Sequence, residues 1–120
     1  MFDFRQFEAT DPFGQAWQAR FLWQQNAISI RHADTIDVKF TLSDGETREE
    51  KVIALPHPLL KSAADKLGRP MNDAWVSKLA ALHLKRVVET GEDLEKPLIT
   101  MSAADLDHAN QALESARAAA

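Results

Sequence analysis

The chain has 120 residues with 14 basic and 18 acidic side chains, a net charge of −4, and no cysteine. That length suits one domain over residues 1–120, and the missing cysteine excludes disulfides, thiolate nucleophiles and cysteine-based zinc sites. The N-terminus MFDFRQFEATD lacks a signal peptide's apolar run and no stretch approaches about 18 apolar residues, so a soluble cytoplasmic protein away from membranes is expected.

Charge is spread unevenly. Residues 56–90 carry six basic and three acidic side chains, between flanks that are net acidic. A nucleic-acid binder normally has a denser basic face and a higher pI than 5.5. These charges read as solvated helix faces.

The first segment, residues 1–14, is too rich in phenylalanine (Phe2, Phe4, Phe7, Phe13) for a free tail and is expected to pack onto the body. Asp11-Pro12 and Gly14 mark a turn. From Ala16 the chain alternates, with Trp17, Ala19, Phe21 and Trp23 on one face, which predicts a strand ending in a turn at Gln24-Gln25-Asn26. Ile28, Ile30, Ile36, Val38, Phe40 and Leu42 share one parity. A single strand over 27–42 would run about 53 Å, against a radius of gyration of about 13–14 Å for a domain this long. The chain must therefore bend, bulge or turn around His32-Ala33-Asp34.

Ser43-Asp44-Gly45-Glu46 is a hairpin turn. The return strand, about 48–55, has Glu49, Glu50 and Lys51 near a solvated tip and Val52–Leu55 in a buried base. Pro56 and Pro58 end the strand and open a helix over about 58–67, with Leu59, Leu60, Ala63, Ala64 and Leu67 as its stripe and Gly68 as its stop. Asn72 or Asp73 caps a second helix over about 73–90. Its apolar face is Trp75, Val76, Leu79, Leu82, His83 and Val87, with Lys78, Ala81, Lys85 and Glu89 pointing away. An acidic loop, 91–97, leads to Leu98–Met101, a short strand or a lead-in. A third helix, about 103–117, starts at a Ser102…Asp105 cap and has a thin stripe of Leu106, Ala109 and Leu113.

The fold class is therefore α+β, an antiparallel sheet of about four strands in the N-terminal half packed against about three C-terminal helices. Chemistry is harder to find. His32 with Asp34 two residues on, and Arg31 beside them, could form an oriented base or a ligand-binding corner. His57 sits between two prolines at the strand-to-helix corner. His83 reads as a core-edge residue and His108 as surface. There is no HExxH, EF-hand loop, nucleophile elbow or phosphate loop, so no metal or cofactor is expected and the reading leans away from an enzyme.

Three functions follow from these residues. The leading one is a small non-enzymatic interaction or assembly module, a homodimer or a partner of another protein, with Trp17, Phe21 and Trp23 as its interface. The alternative is a small-ligand binder or enzyme with a pocket near Arg31, His32, Asp34 and His57. The remotest is a helix-turn-helix-like DNA binder, since Ala64 and Gly68 have that motif's spacing. Pro70 lengthens its turn, however, and Ala74 and Ser77 stand where bulky apolar residues should anchor the second helix.

Overall fold

A computed structural model describes residues 3–27 and 34–119. The chain forms β1 (Gln6–Thr10), β2 (Ala16–Ala27), β3 (Thr35–Ser43), β4 (Arg48–Pro56), α1 (His57–Leu67), α2 (Asp73–Thr90), β5 (Leu98–Thr100) and α3 (Ala103–Ala119). The α+β class is as the periodicity implies. The sheet has five strands in the order β1-β2-β3-β4-β5. Neighbours from β1 to β4 pair antiparallel, while β5 lies parallel to β4 because α1 and α2 carry the chain back before it pairs. The sheet is thus mixed: residues 16–55 supply three described strands rather than about four, because β2 runs on to Ala27, and β1 and β5 add an edge strand at each end.

Alternation decides which face is covered. In β3, Ile36, Val38, Phe40 and Leu42 are buried and the residues between them are half-buried. Phe7, Ala9, Ala19, Ile53, Leu55 and Ile99 join them on one face, where they meet Leu60 of α1 and Trp75, Leu79 and Leu84 of α2. Phe21 packs there too, its ring edge-on to Phe40 at 6.0 Å and to Phe4 at 6.4 Å. All three helices lie on this side. The opposite face carries no helix among the described residues.

The second strand departs from simple alternation. Phe21 pairs with Phe40, but Trp23 pairs with Lys39, so Leu22 is an extra residue in a β-bulge. One inserted residue reverses parity. Trp17, Ala19 and Phe21 face the helices, whereas Trp23 joins Lys39 on the open face. The expectation of one aromatic face is corrected by this bulge. The predicted turn at Gln24–Asn26 is also corrected, since β2 continues to Ala27. Behind the bulge Gln24 faces α2, where its amide nitrogen donates to Asp73 at 3.2 Å and its oxygen accepts from the Ser77 hydroxyl.

Helix α2 is the centre of the core. Asn72 caps it, its side-chain oxygen accepting from the Trp75 N–H at 2.9 Å, and Gly91 ends it at φ 76° with its N–H donated to Val87. Ala80, Ala81, Leu84 and Val88 are buried along with the expected face, of which Leu82 alone is half-buried. Ala81, expected to point away, is covered because α3 packs on α2 from outside the sheet–helix layer. Leu106 and Ala109 anchor α3. Its first turn is a reciprocal capping box: Ser102 N–H donates to Asp105 Oδ2 at 3.0 Å and Asp105 N–H to Ser102 Oγ at 3.1 Å. Asp fills the usual Glu position. No helix among the described residues is long and apolar enough to cross a membrane.

Lys51 corrects a further expectation. Its charge and its place near the turn predict a solvated tip, yet it shares the inward parity of Ile53 and Leu55 and is only 2% exposed. Its ammonium donates to the carbonyls of Leu94 and of Lys96, the latter at 2.9 Å, and pairs with Glu49 at 3.3 Å. A buried charge needs such partners. The lysine thereby fastens the loop between α2 and β5 to the sheet.

Candidate functional site

The open sheet face holds one continuous row. The register links Trp23 to Lys39, Lys39 to Val52, and Val52 to Leu98, crossing β2, β3, β4 and β5 in turn. Trp23 is 37% exposed and Leu98 55%, and Leu22 in the bulge adds a third exposed apolar side chain. Lys39 lies between them with its ammonium 5.5 Å from the Trp23 ring centre and 2.8 Å from Glu50. The cation–π contact and the ion pair together fix the Lys39 ammonium between Trp23 and Glu50.

Around this row the charges balance. Arg20, Lys39 and Arg48 share the open face with Glu8, Asp37 and Glu50. Three positive and three negative groups make a neutral face on a chain whose net charge is −4. The acidic excess lies elsewhere.

The other expected interface residues are engaged internally. Trp17 is half-buried, and its indole N–H donates to Asp11 Oδ2 at 3.0 Å. The same aspartate accepts from the Phe13 and Gln15 N–H groups, both at 2.9 Å, which closes the β1–β2 turn. The Trp17 bond foremost, with these amides, holds the Asp11 carboxyl below its usual range. Phe21 belongs to the aromatic cluster under the helices. A bulge at 22 is the signal that separates Trp23 from its strand neighbours, and alternation alone does not carry it.

The proposed ligand corner is described in part. Arg31 and His32 lie outside the described residues. Asp34 is exposed and its carbonyl accepts the His57 N–H at 2.8 Å, at the end of the β3–β4 pair. The fold thus brings the backbones of Asp34 and His57 together. The apolar seam nearby, between Leu55, Leu59, Met101 and Leu106, leaves no room for a water molecule.

A different constellation lies between α2 and α3. A groove of about 250 Å³ is lined by Leu82, His83, Arg86, Asp105, His108 and Ala109, among others. His83 is 6% exposed, with Nε2 3.9 Å from Asp105 Oδ2; Arg86 is 3.6 Å from Asp105 Oδ1. Burial lowers the His83 pKa below its ordinary value, against the opposing pull of the Asp105 carboxylate. Burial also tends to raise the Asp105 pKa, but the Ser102 amide, His83 and Arg86 outweigh it and bring the pKa below the usual value. Two i,i+3 pairs, His83/Arg86 and Asp105/His108, carry this cluster, and only tertiary packing reveals that the pairs face each other. No cluster of three or more potential metal ligands occurs among the described residues. Comparison with family models, curated proteins and solved structures finds no match for this chain.

Proposed function

We propose that this protein is a small non-enzymatic interaction module that pairs with a second copy of itself through the open sheet face. The observation that carries this reading is the cross-sheet row Trp23–Lys39–Val52–Leu98, apolar at both ends and lying on the face without helices. Exposed large apolar side chains gathered on one sheet face, here Leu22, Trp23 and Leu98, mark a contact surface more often than a solvent surface. The occupant follows from charge. Two copies of an acidic chain repel, except where the face is neutral, and this face carries three charges of each sign. A two-fold contact lets each copy's Arg20 and Arg48 meet the other's acidic groups.

Size sets the strength. Four inter-strand gaps at about 4.8 Å and nine residues of β3 at about 3.3 Å bound the face at about 600 Å², and the shorter edge strands β1 and β5 make it smaller. A standard interface buries about 800 Å² per partner. The pairing is therefore weak and concentration-dependent. Lack of cysteine suits a reducing cytoplasm as the working compartment.

The DNA-binding alternative has less support. Helix α2, the recognition helix in that reading, is packed by the sheet on one side and α3 on another, while a recognition helix presents a free face to the groove.

The test is substitution on the strip. Trp23→Ser with Leu98→Ser should shift the protein to monomer in sedimentation velocity at about 50 μM while leaving the far-UV circular dichroism spectrum unchanged. A double variant that self-associates like the parent chain refutes the interface.

A further inference from the structure

The α2–α3 groove is independent of the open sheet face, because it lies on the far side of the helical layer. Its hydrogen-bonding inventory is lopsided. On the acceptor side, Glu89 Oε2 accepts from Lys85 at 2.9 Å and Asp105 Oδ2 from the Ser102 amide at 3.0 Å, which leaves Glu89 Oε1 and Asp105 Oδ1 as the spare carboxylate oxygens. On the donor side, capacity is left over. Arg86 meets Asp105 only at 3.6 Å, beyond hydrogen-bond length, with its five N–H donors otherwise unassigned among the described residues. His83 Nε2 reaches the same carboxylate only at 3.9 Å. His108 lines the rim one turn after Asp105 and is exposed.

A site whose spare donors, the five N–H groups of Arg86 foremost, outnumber its spare acceptors takes an acceptor-rich ligand. A guanidinium at the edge of a concavity selects an oxyanion, for which it supplies two parallel bonds. Leu82, Ala109 and Ala112 supply the groove's apolar lining. The volume, about 250 Å³, lies below the range of about 300–1,000 Å³ that holds drug-sized ligands. We infer that this groove binds a small oxyanion, the carboxylate or phosphate end of a compact ligand, with Arg86 as the principal donor and His83 and His108 as supporting donors.

Arg86 is a good residue to test because its side chain is 41% exposed, so losing it leaves the core intact. Inorganic phosphate and butyrate are titrated separately into ¹⁵N-labelled protein, with sodium chloride at matched ionic strength as the background. The expected result is saturable amide shifts over residues 82–89 and 105–112 with at least one of the two probes. Saturation by butyrate alone assigns the groove to a carboxylate with an apolar body, and by phosphate alone to a phosphate group. Arg86→Gln should weaken that binding about ten-fold or more, the cost of one lost charge-assisted pair. Lys61→Gln, on an exposed face of α1, should leave it unchanged. No saturable shift with either probe overturns the inference, and so does equal affinity in Arg86→Gln.

Discussion

Replacing Lys51 by Met tests whether this buried ammonium fastens the α2–β5 loop. Met keeps the length of the stem, so the substitution removes the charge and its hydrogen bonds while leaving little void. The bonds lost go to the carbonyls of Leu94 and Lys96, and the pair with Glu49 goes with them. Hydrogen bonds to charged groups contribute about 1.5–3 kcal/mol each, or about 3–6 kcal/mol for two. Against that stands the desolvation of the ammonium, several kcal/mol, which the variant no longer carries. The freed carbonyls lie in a turn whose residues Glu92, Asp93, Glu95 and Lys96 are exposed, so water can take them up. The net cost should be about 1–2 kcal/mol, and it should fall locally. Hydrogen exchange followed by mass spectrometry is the assay, because it reads the loop separately from the core. Peptides over 91–98 should lose about 5–30-fold in protection, the factor that 1–2 kcal/mol represents. The core of α2 should change much less. Unchanged protection of that loop, or a loss spread evenly over the whole chain, would refute the role assigned to Lys51.

Two further outcomes follow. Burial holds the His83 pKa below 6.5, so below about pH 6.5 the unfolded chain takes up a proton that the folded chain refuses. Stability is then full above that pH and declines as pH falls toward the lower folded-state value; urea midpoints between pH 7.5 and 5.5 should fall more steeply in the parent than in His83→Leu, and equal slopes would contradict the burial argument. Gly91 sits at φ 76°, and a Cβ there would lie 3.3 Å from Pro12 Cγ. Gly91→Ala should lower stability by about 1–2 kcal/mol in urea titration, the cost of left-handed backbone for a residue with a Cβ, and an unchanged midpoint would contradict it.

Much of the fold is legible because local signals and tertiary needs agree. The period change at Pro56, the glycines at 68 and 91 and the Ser102…Asp105 box place all three helices within two residues of where they lie. The sheet is legible where alternation is clean, as in β3. It is hidden where one residue is inserted, since the bulge at Leu22 sends Trp23 to the opposite face from Trp17 and Phe21 without changing the apolar pattern. Lys51 is hidden for a different reason: its charge argues for solvent, its parity argues for burial, and the carbonyls of a loop 43 and 45 residues away decide between them. The candidate sites are hidden in the same way. Neither the row Trp23–Lys39–Val52–Leu98 nor the meeting of His83 with Asp105 exists within any one segment. Each is made by register or by helix packing.

Sedimentation equilibrium of the parent protein from about 1 to 100 μM tests the central claim most directly. The account predicts a weight-average mass that rises from 13.4 kDa toward twice that value across this range. A mass that stays at 13.4 kDa to the highest concentration would contradict pairing through the open sheet face.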